Sequence, residues 1–141
     1  MKITSSTDPD DADRKALMRL MDAHNDAATG LTDPVRKLSL LVHDDAGVVR
    51  GGLWGFSYYR WMFIDLLILA DGLRHAGLGT RLMAEAEAEA RRRDLLGIWL
   101  DTFSFQARPF YERLGFRLCG QIDDFPPGGA RYFLCKRLDG G

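Results

Sequence analysis

The chain is poor in the residues that usually announce a function. Cysteine is scarce, with Cys119 and Cys135 the two among 141 residues, and the three histidines, His24, His43 and His75, are scattered. Without a Cys-x-x-Cys pair or closely spaced histidines the spacing supplies no structural zinc site, so no metal is expected. Charge of one sign is missing as well: 19 Lys and Arg against 20 Asp and Glu leave a formal charge of -1. With no net basic field to hold a phosphate backbone, nucleic acid is not an expected partner. Long apolar runs are absent, and the start of the chain, Met1, Lys2 and Ile3 followed by polar and acidic residues, shows no apolar leader. No membrane association is therefore expected, and a cytoplasmic location is. No segment repeats at a fixed period, which argues against a solenoid or propeller.

What is present suits a packed domain. The chain is 46% hydrophobic and 11% aromatic, enough apolar surface to offset the entropy of ordering. A single domain over residues 1–141 is expected. Thr7 or Asp8 before Pro9 has the form of a helix cap, and Leu17, Leu20, Met21, His24 and Ala28 recur at helical spacing until Gly30. Residues 37–43 and 48–58 read as a hairpin around Asp44, Asp45, Ala46 and Gly47, and residues 61–70 as a third strand. Gly77 to Arg93 is a strong helix former, with Leu78, Leu82, Ala86 and Ala90 on one face and Glu87–Arg91 and Glu89–Arg93 spaced as ion pairs. Ile98 to Thr102 forms a strand, Ser104 to Leu114 a short helix closed by Gly115, and residues 116–122 and 131–138 two last strands around Pro126, Pro127, Gly128 and Gly129. The order implies an α/β fold with a mixed sheet.

The most informative stretch lies between the third strand and the long helix: Arg74, His75, Ala76, Gly77, Leu78, Gly79, Thr80. Two glycines admit close approach of a ligand to the backbone, and the helix start behind them offers unpaired N–H groups and a positive dipole end. An anion, a pyrophosphate above all, suits this turn; a plain tight strand-to-helix connection fits the two glycines equally. A nucleotide P-loop is excluded, since no Gly-Lys-Ser/Thr follows, and the dinucleotide fingerprint fails because Leu82 occupies its third glycine.

Arg74-x-x-Gly77-x-Gly79 resembles the Gln/Arg-x-x-Gly-x-Gly/Ala signature of the GNAT acyl-CoA N-acyltransferase superfamily. After a long helix and a strand, Ala107-x-x-Phe110-Tyr111-Glu112-Arg113-x-Gly115-Phe116 is similar to that family's second motif, with Ser104 where the motif has Asn. The match is strongest from Phe63 to Phe116, and Lys2 to Thr7 is short for the family's first strand.

The resemblance implies a mixed, mostly antiparallel sheet flanked by helices, whose central strands, here residues 61–70 and 98–102, splay apart to admit acetyl-CoA as acyl donor. It assigns the pantetheine to the backbone of Leu67, Ile68 and Leu69, the pyrophosphate to Arg74 through Thr80, and further cofactor contacts to Ser104, Ala107 and Phe110. Tyr111 corresponds to the tyrosine that protonates the departing thiolate. An acceptor amine with a pKa of about 10.4 must also lose a proton. Asp65, which shares strand parity with Leu67 and Leu69 in an otherwise apolar strand, is a candidate base if burial raises its pKa; an acid facing water is the alternative.

For the acceptor, Trp54 and Phe56 alternate onto one face of the second hairpin strand, a pattern that serves a core as well as a pocket. Asn25 and Asp124 fall in regions that border the acceptor in this family. Cys119 and Cys135 read as cross-strand neighbours and reduced core thiols. The expected activity is acetyl transfer to a primary amine of a small molecule by direct attack in a ternary complex. A protein N-terminus or lysine as acceptor, and a non-catalytic acyl-CoA-binding or partner-binding domain, are the alternatives. Edge strands and the final hairpin suit a homodimer.

Overall fold

The computed structural model describes residues 1–74 and 77–140 and divides into two compact units, Met1–Pro34 and Val35–Gly141. The first unit holds one helix, α1 (Asp11–Thr29). Its cap is Asp10, whose carboxylate accepts the Ala12 N–H at 3.0 Å, so the helix starts after the expected Thr7 or Asp8 cap and Pro9 stands outside it. Gly30 ends it as expected, in the left-handed conformation that its missing Cβ permits. Residues 2–7, the segment short for a first strand, form none.

The second unit is a six-stranded sheet with two helices: β1 (Arg36–His43), β2 (Val49–Tyr58), β3 (Trp61–Leu69), α2 (Leu78–Arg92), β4 (Gly97–Phe103), α3 (Arg108–Arg113), β5 (Arg117–Asp123) and β6 (Ala130–Arg137). The spatial order is β1-β2-β3-β4-β6-β5, and β3 and β4 are the parallel pair in an otherwise antiparallel sheet. The α/β mixed sheet is thus as expected. The β2–β3 connection is a two-residue turn in which Tyr59 and Arg60 both take positive φ, a strained choice for side-chain-bearing residues. It is held by Arg60, whose guanidinium donates twice to the Asp94 carbonyl and whose own carbonyl accepts the Leu96 N–H at 2.7 Å.

The core lies between α2 and the sheet. Leu82, Met83, Ala86 and Ala90 of α2 are buried against Leu53, Met62, Ile64, Ile98, Leu100 and Leu134, and the two alanines let the helix approach closely. The last turn of α2 is tied down by one side chain. Arg93, 7% exposed, donates to Glu89 at 2.7 Å, to Ser57 Oγ at 3.0 Å and to the carbonyls of Arg36 and Lys37, so it satisfies buried Ser57 and joins α2 to β1 and β2. Hydrogen bonds first from Arg93 and then from Arg92 hold the Glu89 carboxyl below its usual range. Lys136 does similar work at the other side, reaching the Leu114 carbonyl at the end of α3 and Glu87 of α2.

Helix α3 starts at Arg108, four residues after the expected Ser104, because Ser104 is bonded elsewhere. The thiols are also not where the sequence suggested. Cys119 sits at an irregularity of edge strand β5 and is exposed, and Cys135 is half-buried, so these free thiols are not core residues. Their cross-strand relation holds approximately, with Cys135 opposite Arg117.

Removing one partner of a buried ion pair costs about 3–5 kcal/mol; Glu89 keeps Arg92 and is 21% exposed, so Arg93→Ala should lower unfolding stability by about 2 kcal/mol in urea at pH 7. The difference from wild type should shrink as pH falls below the usual 4.5, since a carboxyl with a lowered folded pKa contributes above its unfolded value and loses that contribution on protonation.

Candidate active site

Strands β3 and β4 pair from Trp61–Gly97 to Ile64–Leu100 and then part, although β3 runs on to Leu69 and β4 to Phe103. The cause is local. Opposite β3, Gly55 pairs with Ile64 but Trp54 pairs with Leu66, so Asp65 is an extra residue in a bulge. A bulge bends and twists its strand and shifts its side-chain parity by one. Before it, Met62 and Ile64 point into the core; after it, Leu67 and Leu69 do, while Leu66 and Ile68 are exposed.

The gap exposes backbone groups of known direction. The Ala70 N–H is given to the Arg50 carbonyl, so by antiparallel alternation Ile68 also faces β2 with its backbone, and Leu67 and Leu69 turn theirs into the gap. These are unclaimed donors and acceptors of the kind that an extended amide-bearing chain can take up. Beside them α2 begins. Gly77, at φ 74°, precedes it without any side-chain cap, and its first turn carries no acidic residue, which leaves the N–H groups there free for an anion. A methyl placed on Gly79 would stand 3.4 Å from the Phe110 ring and 3.9 Å from Leu69, so the start of α2, α3 and the end of β3 meet at this point. Arg74 forms a loose pair with Asp71 at 3.6 Å, both well exposed, and such a pair is worth little. His75 and Ala76 lie outside the described residues.

Tyr111 follows Phe110 in α3 and is the residue of this short helix that is buried. It is 8% exposed, with its ring edge-on to Phe110 and Phe116. Burial first, and the negative charge of Asp101 second, push its pKa up to about 12.

Asp101 is the residue that sequence reasoning missed. It stands one position past the last β3–β4 pair, with its side chain 16% exposed and held by Arg131 at 2.8 and 3.0 Å. The stretch Leu100-Asp101-Thr102 gives no local sign of this, because the partner that orients Asp101 is 30 residues away.

The other expected residues divide. Asp65 is exposed at its bulge, so it is the acid facing water and not a buried base. Ser104 is spent on structure, its N–H donating to the Ala130 carbonyl and its Oγ accepting the Ala130 N–H. Ala107 precedes α3 and accepts the N–H groups of Phe110 and Tyr111. Phe56 packs edge-on to Phe63, which lies against Trp99, whereas Trp54 is exposed, opposite Leu66, and joins no ring cluster. Asp124 accepts the Gly128 N–H and closes its own loop. Asn25 belongs to α1 in the first unit, where its carbonyl accepts from Thr29.

Comparison with known proteins settles the family. The profile of the Acetyltransferase (GNAT) family matches residues 7–116. The chain belongs to the GNAT acetyltransferase family. This GNAT chain is 44% identical over 95 residues to blasticidin-S acetyltransferase of Streptomyces morookaense, an alignment covering 67% of this chain and 70% of that one. It is 34% identical over 124 residues to acetyltransferase Atu2258 of Agrobacterium fabrum, covering 88% and 90%. A crystal structure of an acetyltransferase from Bacillus cereus superposes with a TM-score of 0.84 at 30% identity, over 96% of this chain and 98% of that one. Among the described residues of this GNAT chain no helix is long and apolar enough to cross a membrane.

The electrostatics of Tyr111 predict its titration. Of the four tyrosines, Tyr111 should account for the highest-pH step of phenol ionisation followed by absorbance, a step that vanishes in Tyr111→Phe. In Asp101→Asn the step should move to lower pH, because a negative neighbour that resists phenolate formation has been removed.

Proposed function

We propose that this GNAT chain transfers the acetyl group of acetyl-CoA to a primary amine of a small molecule, by direct attack while both are bound. The observation that supports this reading is that the β3–β4 pairing stops at Ile64–Leu100 where the start of α2, Phe110 of α3 and Leu69 of β3 approach one another, with buried Tyr111 next to Phe110. The similarity to an acetyltransferase named for the antibiotic blasticidin-S supports a small-molecule acceptor.

The residues present fit the donor. Leu67 and Leu69 would take its amide arm along the open edge of β3, and the N–H groups of Leu78, Gly79 and Thr80 its pyrophosphate. Acetyl-CoA supplies an activated acyl group on sulfur: a nitrogen–carbon bond forms as the carbon–sulfur bond breaks. Tyr111 keeps its proton through the neutral range, so its hydroxyl is a donor whenever sulfur departs. With its pKa at about 12, above a thiol reference of about 8.5, outright transfer would be uphill by roughly 5 kcal/mol, so its first task is to donate a hydrogen bond to the charge developing on sulfur. Asp101 flanks the gap on the β4 side and Asp65 on the β3 side. Held in place by Arg131, Asp101 is the better oriented to receive the ammonium, with water carrying the proton away.

The test is thiol release from acetyl-CoA with a panel of small primary amines. Amine-dependent release is expected, rising with pH as more amine is deprotonated. Tyr111→Phe should lower kcat about a hundredfold, the lower end of what a positioned acid contributes, with the acetyl-CoA dissociation constant within about twofold of wild type. Unchanged turnover in that variant would remove Tyr111 from the mechanism, and absence of acetyl-CoA binding in calorimetry would sink the reading as a whole.

A further inference from the structure

Past the split, the outer rim of β4 is aromatic. Phe105 lies almost parallel to Phe103, with ring centroids 5.4 Å apart and planes 3° from one another, and Phe125, from the loop after β5, meets Phe103 at 5.4 Å. The Arg131 guanidinium stands 5.5, 5.1 and 5.4 Å from the rings of Phe103, Phe125 and Phe133 and carries Asp101 on its other side. Yet Phe105 is 71% exposed and Phe125 40%. An exposed phenylalanine is commonplace by itself; a stacked pair held outward beside an ordered Arg–Asp pair is not.

The outward pose is imposed by hydrogen bonds. Ser104 is clamped to Ala130 by a bond in each direction, and the Phe103 N–H is taken by Gln106 Oε1 at 2.8 Å. The facing loop is closed by Asp124 N–H to the Gly129 carbonyl and Gly129 N–H to the Pro126 carbonyl. Gly129 has no room for a side chain, since a Cβ there would stand 2.8 Å from Ser104 Oγ. The two loops therefore hold each other, and Phe105 offers one ring face to Phe103 and the other to solvent at no further ordering cost. A preformed aromatic face of this kind favours a flat, polarisable partner, because ring stacking adds to area burial for planar groups.

Resting on the acetyltransferase reading above, we infer that the acceptor carries a planar conjugated group which stacks on the open face of Phe105, while its amine end lies toward Asp101 and the gap. Phe105 is then a specificity-determining residue for the acceptor. The alternative occupant, the donor itself, is separable by experiment.

The test compares binding of 2-phenylethylamine and 2-cyclohexylethylamine, alike in size and both protonated at pH 7 but unlike in flatness, to the protein saturated with free CoA, by calorimetry at pH 7. The wild type should bind the flat amine about tenfold more tightly, and Phe105→Leu, which keeps an apolar side chain without a π face, should bring the two within twofold. The melting temperature should stay within about 2 °C, since the side chain is exposed. Equal binding in the wild type, no binding of either amine, or a preference that survives in Phe105→Leu overturns the inference. So does a tenfold loss of CoA affinity in that variant, which would assign the ring to the donor. None of these outcomes bears on whether acetyl-CoA is turned over, which the Tyr111 experiment decides independently.

Discussion

Strands β3 and β4 are neighbours for four residue pairs, and the chemistry of the second unit depends on where that pairing stops. A parallel pair fully zipped would bury its edges and leave no backbone group for a ligand. The extra residue at Asp65 prevents this, bending β3 away while its opposite edge stays bonded to β2. The cost is small because the bulge falls beyond the core: Met62 and Ile64 before it are buried, and Leu67 and Leu69 recover inward parity after it. A bulge is thus a way to interrupt a sheet at its centre without losing the hydrophobic layer beneath.

The two groups proposed for the chemistry sit in different surroundings. On the helix side Tyr111 sits among Phe110 and Phe116, where a charge is expensive and the phenol keeps its proton. On the other strand Asp101 keeps its place through a two-point contact with Arg131. The roles proposed for them, a phenol that keeps its proton and a carboxylate anchored by an arginine, suit a reaction in which sulfur gains negative charge and nitrogen loses a proton.

Much of this was legible in the amino-acid sequence, and the parts that were not share a cause. The helix face of Leu82, Ala86 and Ala90, the ion-pair spacing of Glu89 and Arg93 and the glycines at 77 and 79 are local signals, and each has its counterpart in the structure. The start of α1 was misplaced by two residues, from Pro9 to Asp11, because Pro9 imitates a first helical residue while the carboxylate that caps the helix is Asp10. The start of α3 was misplaced because Ser104 is bonded in both directions to Ala130, far along the chain. Asp101 was overlooked and Asp65 overvalued for the same reason. Strand parity read along the chain cannot see a bulge, which is a property of two strands, nor an arginine supplied by a third.

Helix α2 is supported unevenly. Its far end is bolted to two strands by Arg93, and its near end, after Gly77, carries neither a capping side chain nor an acid to answer the dipole. It is built as a cantilever, fixed at its far end and left electrically incomplete at the end proposed for the pyrophosphate. An anion arriving at that end supplies the cap that the chain omitted, so that ligand and helix become parts of one hydrogen-bonded unit.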